Sequence, residues 1–419
     1  MDHLSVIKSI FRDVEDIEIE ISVDEISAET HLRDDLELDS LSVMALFSEL
    51  ESKYPFLNED CLLNWYTIQD IINSLKAEEV ISTEKNIVDS NIIFDNKKFS
   101  DQKIKELKKE IQQNLKGLRQ NELFLLADKN PLRLMFSFIV ALENNLVPVM
   151  ISDSLPEFQI NSLRSKLDQC GLLLNGKLET GNHISVHERT YGCLTSGTTS
   201  QPKIFYFDIL KAKELARIHS KSIQLNNESL LIQCLPLYHS FGALCYILSW
   251  LELGFKLHLK SNFMGLKQLE HSSENITLNT SPSQLRFLIK EGQLEKMKIK
   301  TVSIGGGFVA KETLNQLKDL SPTTDIYTTY GLTEAGPRVS TGKYKSQDSG
   351  FIGHVLEGIS SSVMLEDQTV KDQGTGTLLV KSPYQALNLT SDKMNDGYII
   401  TNDIVSINQE GEIFFHSRT

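Results

Sequence analysis

The chain has 419 residues, 40% hydrophobic and 23% charged, which is apolar material for two or three packed domains and excludes a largely disordered polymer. Its net charge of −14 is local: residues 1–79 hold 20 Asp and Glu against 5 Lys and Arg, so that segment carries −15 and the remainder about +1. So acidic a block repels nucleic acid and anionic membrane, which are not expected as partners, and favours proteins that present basic patches.

No run reaches the roughly 18 to 20 apolar residues of a membrane span, and Met1-Asp2-His3-Leu4 does not begin a signal sequence, so a cytoplasmic protein is expected. The five cysteines, Cys61, Cys170, Cys193, Cys234 and Cys245, are scattered without a CxxC pair. They suggest reduced, mostly buried thiols rather than disulfides or a zinc site.

Residues 1–79 read as a small helical bundle. Leu4, Ile7, Ile10, Phe11 and Val14 recur at helical spacing, an acidic irregular stretch runs from Asp16 to Leu38, and Leu41, Met44, Ala45, Phe47 and Leu50 begin a second helix closed by Pro55. A shorter helix follows around Ile68 to Leu75, and residues 80–91 read as a linker. From Ile92 the pattern changes: the strand-like Leu123-Phe124-Leu125-Leu126 precedes a helix from Leu132 to Glu143, and Val147 to Ile151 is strand-like again. This alternation over residues 92–419 predicts an α/β architecture with largely parallel sheets.

Ser40 stands where the acidic loop meets the second helix, a place where serine caps free backbone N–H groups and stays accessible. A plain N-cap is the simplest reading of the residue alone. Leu36-Glu37-Leu38-Asp39-Ser40-Leu41, however, resembles the phosphopantetheine attachment motif of acyl carrier proteins, and the resemblance covers the whole acidic segment. It implies a four-helix bundle, a 4'-phosphopantetheine arm on Ser40 installed by a phosphopantetheinyl transferase, and partner enzymes that meet the acidic second helix at Glu49 and Glu51.

The run Leu194-Thr195-Ser196-Gly197-Thr198-Thr199-Ser200-Gln201-Pro202-Lys203 puts hydroxyls, a glycine and a lysine where they can surround phosphate oxygens. It lacks the GxxxxGK[ST] spacing of a P-loop. Alone it could be a polar surface turn. It is followed in order by Leu235-Pro236-Leu237-Tyr238-His239-Ser240-Phe241-Gly242, Ser303-Ile304-Gly305-Gly306-Gly307, Tyr327-Thr328-Thr329-Tyr330-Gly331-Leu332-Thr333-Glu334 and Tyr398-Ile399-Ile400-Thr401-Asn402-Asp403. Together these motifs resemble the adenylate-forming superfamily of acyl-CoA synthetases, aryl acid ligases and nonribosomal adenylation domains.

That resemblance implies a large domain of two αβ subdomains with a small β-barrel-like part, and ATP and Mg2+ as cofactors. Thr195, Ser196, Gly197, Thr198, Thr199 and Lys203 would hold the β- and γ-phosphates, Glu334 the metal, and Thr333 the α-phosphate. Tyr330 and Gly331 would lie at the adenine with Gly305, Gly306 and Gly307 opposite, and Asp403 and Arg418 at the ribose. Tyr238, His239, Ser240, Gly242 and Gly305 would line the acid pocket. His239 stands where amino-acid-activating relatives place an aspartate, so a carboxylic acid without an α-amine is expected. Tyr330, Asp403 and His239 could each instead serve packing or a turn.

Two departures qualify the resemblance. Fewer than 70 residues separate the Leu123 segment from Thr195, shorter than in most relatives, and the chain stops at His416-Ser417-Arg418-Thr419, where the family's Gly-Arg hinge motif begins and Ser417 replaces the glycine. The small C-terminal domain is thus expected to be missing, as in a truncation, and this chain to bind nucleotide but catalyse poorly. The expected function is ATP-dependent activation of a carboxylic acid and its loading onto the arm at Ser40, for a downstream acyl-accepting synthase or condensing enzyme of polyketide or nonribosomal peptide biosynthesis. Coenzyme A as acceptor, or a catalytically silent nucleotide-binding scaffold, are the alternatives.

Overall fold

Helical periodicity, proline-initiated helices and continuous apolar strands account for most elements of the computed structural model. It describes residues 3–14, 19, 21–36, 38, 40–53, 62, 65–75, 91–186, 189–195, 203–261, 276–345, 350–390 and 394–418. The chain divides into two compact units, Met1–Asn86 and Ile87–Thr419.

In the first unit the helices His3–Asp13, Ser40–Lys53 and Ile68–Leu75 contribute buried faces of Ile7, Ile10 and Phe11, of Leu46, Phe47 and Leu50, and of Ile68, Ile71 and Ile72. The Phe47 and Trp65 rings sit 5.7 Å apart. Besides these three helices the described residues show the 3-10 turn Val23–Glu25 and a 3-10 residue at Leu62, and the 54–64 stretch lies largely outside them. Four full helices are therefore not established. The acidic loop is pinned by its leucines: Leu32, Leu36 and Leu38 are buried, and the Leu38 N–H donates to the Leu32 carbonyl at 2.9 Å. Apolar anchoring thus fixes the chain just ahead of Ser40, the first residue of its helix.

The second unit contains two sheets. The smaller has six strands in the order Lys177–Glu179, Gly171–Leu174, Leu123–Ala127, Val147–Met150, Thr190–Leu194 and Ile204–Asp208, parallel in the middle and antiparallel at both edges. Leu123–Ala127 is buried throughout, as expected of a parallel strand covered on both faces. The helix between the first two parallel strands, Pro131–Glu143, begins on Asn130, whose side chain accepts from the Leu132 and Arg133 N–H groups, while Pro131 occupies a position where no N–H is needed.

The larger sheet has a parallel half, Ile92–Phe94, Lys256–Leu259, Leu230–Gln233, Ile276–Thr280, Ile299–Ile304 and Asp325–Tyr330. It continues without a break into antiparallel strands Ser340–Lys343, Phe351–Val355, Ile413–Arg418, Tyr398–Ile407, Gly374–Lys381, Ser360–Met364 and Val370–Lys371. Lys97–Phe99 pairs antiparallel with the edge strand Ile92–Phe94, the short Met394–Asn395 branches from Tyr398–Ile407, and no described pairing closes the two ends of the sheet. The α/β expectation is met, but the sheets are mixed rather than largely parallel, because antiparallel strands after Tyr330 extend the larger one; a barrel-like part is not established. Cys170, Cys193, Cys234 and Cys245 are free, buried thiols, and no helix among the described residues is long and apolar enough to cross a membrane.

Buried on the helix Ile209–Ser222, His219 lies with Nε2 3.3 Å from Cys245 Sγ. Burial, assisted by the nearby positive charge of Arg338, lowers its pKa well below 6.5. The folded state therefore binds no proton here where the unfolded chain does, so stability falls as pH drops below about 6.5. We expect His219→Gln to flatten the decline in thermal midpoint between pH 7 and 5.5, removing up to about 1.4 kcal/mol per pH unit of dependence. Denaturation at several pH values checks this.

Candidate functional site

The end of the parallel half and the antiparallel strands meet at one buried carboxylate. Asp403, on Tyr398–Ile407, is 1% exposed at its side chain. Its Oδ2 accepts the Tyr330 hydroxyl at 2.6 Å, and the Arg418 guanidinium donates through Nε to Oδ1 at 2.7 Å and through a terminal nitrogen to Oδ2 at 2.9 Å. Register explains the two-pronged grip: Asp403 and Arg418 are direct partners on antiparallel strands. Burial first, then the neighbouring carboxylate charge, raises the Tyr330 pKa well above 10, which keeps the phenol a donor. The hydrogen bond to Asp403 raises that of Arg418.

Three residues past Tyr330 the chain forms the 3-10 turn Thr333–Ala335, which presents Thr333 and Glu334. Thr333 Oγ1 lies 2.9 Å from the hydroxyl of Ser240, joining this turn to the second motif. Gly331 and Gly242 are demanded by close approach, since a methyl at either would run into the carbonyl of Pro337 or of Pro236.

Lys203 closes the hairpin between Thr190–Leu194 and Ile204–Asp208, its carbonyl accepting from the Thr195 N–H at 3.0 Å. Three consecutive residues tie this hairpin to the Glu334 turn. The Ala386 N–H donates to the Glu334 carbonyl at 2.8 Å, and the Leu387 N–H to the Tyr206 carbonyl at 2.8 Å. The Asn388 amide donates to the Ile204 carbonyl at 2.8 Å and accepts from the Tyr206 N–H at 3.1 Å. The strand Ile204–Asp208 and the Glu334 turn are therefore held by one short segment.

The glycine triplet follows the strand Ile299–Ile304. Gly306 has φ +85°, a conformation side chains rarely adopt, and Gly305 abuts Thr329 and Arg338. Tyr238 and His239 are adjacent rings with centroids 4.6 Å apart, and Ser240 is buried. Burial lowers the His239 pKa, so its imidazole is neutral near pH 7 and offers no counter-ion to an amine.

Thr195, Lys203, Ser240, Thr333, Glu334, Tyr330, Asp403 and Arg418 thus form two connected constellations, one around the Lys203 hairpin and the Thr333 turn, the other around Asp403. Ser196, Gly197, Thr198 and Thr199 lie outside the described residues, as does the side chain of Ser40, which belongs to the first unit. No cluster of three or more His, Cys, Asp or Glu able to hold a metal occurs among the described residues.

The sequence profile of AMP-binding enzymes matches residues 177–388, half of the chain, with the glycine triplet, the Thr333 turn and Lys203 inside it. The chain belongs to the AMP-binding enzyme family. The profile of the phosphopantetheine attachment site matches residues 5–75, so a carrier protein is fused here to an adenylate-forming ligase domain. Among curated relatives, this AMP-binding enzyme is 27% identical over 232 residues to an acyl-CoA ligase, AFT1-1, of Alternaria alternata, covering 52% of this chain and 39% of that protein. It is 25% identical over 236 residues to the 2-succinylbenzoate--CoA ligase of a Staphylococcus epidermidis strain, covering 54% and 48%. The matched stretch thus spans less than half the length of either relative. Its fold is shared with O-succinylbenzoate coenzyme A synthetase of Bacillus subtilis, solved with ATP and magnesium (TM-score 0.67, 16% identity, 78% of this chain and 76% of that one). VinN shares it as well (TM-score 0.66, 16% identity, 78% and 94%).

Two features of the site were not singled out from sequence. Asn388 and its neighbours carry no motif, and only their hydrogen bonds reveal them. Arg338, 1% exposed and with its guanidinium carbon 3.1 Å from the centroid of the Phe241 ring, sits in the apolar-flanked run Gly-Pro-Arg-Val-Ser, where a charge was the available signal.

Gly305→Ala tests how tightly this region is packed. A methyl would overlap the Thr329 hydroxyl and lie 2.8 Å from an Arg338 nitrogen, so a loss of about 1–3 kcal/mol in urea denaturation is expected, whereas the same change at open Gly306 acts only through its φ.

Proposed function

We propose that this protein activates a carboxylic acid with ATP and transfers the acyl group to a phosphopantetheine arm on Ser40. What carries this reading is one chain that matches both the AMP-binding enzymes and the phosphopantetheine attachment site. The coupling of the Glu334 turn to the Lys203 hairpin through residues 386–388 supports it, because a triphosphate needs a cation and a carboxylate-held metal on opposite sides.

In the first step a carboxylate oxygen bonds to the α-phosphorus, the α–β bridging P–O bond breaks, and pyrophosphate leaves an acyl-adenylate. Lys203 and the hydroxyls of Thr195, Ser196, Thr198 and Thr199 stabilise the departing charge, with the Gly197 backbone close to the phosphates. Thr333 donates to the α-phosphate. A single carboxylate, Glu334, beside substrate phosphates suits Mg2+, which usually takes one or two protein carboxylates and keeps water and phosphate oxygens; bound there it neutralises phosphate charge. Tyr330, Gly331 and the Gly305–Gly307 backbone flank adenine. Asp403 accepts a ribose hydroxyl: three bonds already reach its two oxygens, and a carboxylate's roughly four acceptor sites leave room for one more. Tyr238, neutral His239, Ser240 and Gly242 border the acid, which carries no α-ammonium. In the second step a thiolate attacks the acyl carbon and AMP departs.

The tethered arm raises the acceptor's effective concentration if it reaches the site. The curated relatives are CoA ligases by name, which favours free coenzyme A as the competing acceptor.

The protein treated with a phosphopantetheinyl transferase and incubated with ATP, Mg2+ and a panel of carboxylic acids should gain an acyl group on a peptide containing Ser40, read by mass spectrometry. Ser40→Ala should abolish loading but spare acid-dependent pyrophosphate exchange; Lys203→Ala should reduce exchange by at least about tenfold. Acyl-CoA formed at equal rate by wild type and Ser40→Ala would replace the arm with coenzyme A.

A further inference from the structure

Buried cations are costly unless paired, and Arg338 is a buried cation without a counter-ion. Its side chain is the largest of the fully buried ones. One terminal nitrogen donates to the Pro337 carbonyl at 2.9 Å; Nε and the other terminal nitrogen meet no acceptor in hydrogen-bonding geometry among the described residues, although the guanidinium interacts with the Cys245 thiol. Desolvation lowers its pKa only to about 10, so it remains charged at neutral pH. The neighbouring Cys245 cannot balance it, because burial pushes that thiol up to about 12. Phe241 offers its ring face, which attracts a cation but accepts no fork of N–H bonds.

This charge lies at the glycine triplet: a methyl on Gly305 would sit 2.8 Å from the same unpaired terminal nitrogen. Other orphaned polar groups share the sheet face. Asn279 and Ser303 are register partners on adjacent parallel strands, both fully buried, and neither the Asn279 amide nor the Ser303 hydroxyl finds a partner among the described residues. Side chains two apart on a strand project to one face, so Ser303 and Gly305 point the same way. Asn279 and Ser303 thus share a face with Gly305, and the cationic Arg338 lies between Gly305 and Phe241, whose neighbours Ser240 and Gly242 border the acid in the proposed function.

We propose that Arg338 receives a second carboxylate on the acid substrate, so that the preferred substrate is a dicarboxylic acid activated at its far end. A planar carboxylate matches the free Nε and terminal N–H edge in two parallel bonds, which a neutral tail cannot do. The inference rests on acid activation at this site, and the test separates the two.

Acyl-sulfamoyl adenosines, stable mimics of the acyl-adenylate, are titrated calorimetrically into the full chain as matched pairs: succinyl, glutaryl and adipyl half-acids against butyryl, valeryl and hexanoyl, with AMP as control. At one chain length the carboxylate-ended mimic should bind at least about 100-fold tighter than its apolar partner, since a buried charge left unpaired rejects the analogue lacking its partner. Arg338→Met should abolish that preference and raise the thermal midpoint, because it removes an unpaired buried charge. Arg338→Lys, which keeps charge but loses the fork, should retain a reduced preference. If AMP and apolar mimics bind while no carboxylate-ended mimic exceeds its partner, the proposal for Arg338 fails and acid activation stands. A lowered midpoint in Arg338→Met with unchanged preference would make the residue structural. If neither AMP nor any mimic binds, acid activation fails and this proposal with it.

Discussion

The buried carboxylate of Asp403 is the joint on which the large unit's site depends. It ties the last strand of the parallel half, through Tyr330, to two antiparallel strands, through its own strand and Arg418. A carboxylate this deeply buried is matched by three donors in fixed directions, from a phenol held neutral by burial and from a guanidinium. Tyr330 in turn precedes the turn that presents Thr333 and Glu334, so the position of that turn follows from the same bonds. Removing one partner would leave another buried polar group unmatched, which is why strand pairing and side-chain chemistry are inseparable here.

A second constraint is steric. Gly242, Gly305 and Gly331 each occupy a place where a single methyl would strike backbone or a polar side chain, and all three stand beside residues of the proposed site. These glycines let backbone approach backbone where a flat nucleotide and a small acid would have to fit. Segment 386–388 adds the link to the Lys203 hairpin through hydrogen bonds, and Ala386 shares a core cluster with Phe205 and Phe207 of that hairpin.

Much of this was legible in the sequence because close approach and charge placement restrict residue types. Tyr330, Thr333, Glu334 and Asp403 could be read from ordered motifs, and the parallel strands from continuous apolar runs such as Leu123 to Leu126. The antiparallel extension of the sheet was less legible: its pairings, such as Phe351–Val355 with Ile413–Arg418, join strands far apart in sequence, and periodicity says nothing of partners. Asn388 was invisible for a similar reason, since its role lies in bonds to a strand 182 and 184 residues earlier. Arg338 escaped because spacing cannot distinguish a buried, unpaired guanidinium from one that reaches solvent.

Adenosine binding at the Asp403 joint is the claim on which the functional reading turns, and the ribose hydroxyls are its most direct probe. Calorimetric titration of the chain with AMP and with 2',3'-dideoxy-AMP should show the dideoxy compound binding about 10- to 100-fold more weakly, as expected when a buried carboxylate loses a hydroxyl partner. Equal affinity for the two nucleotides would contradict the assignment of Asp403 to the ribose.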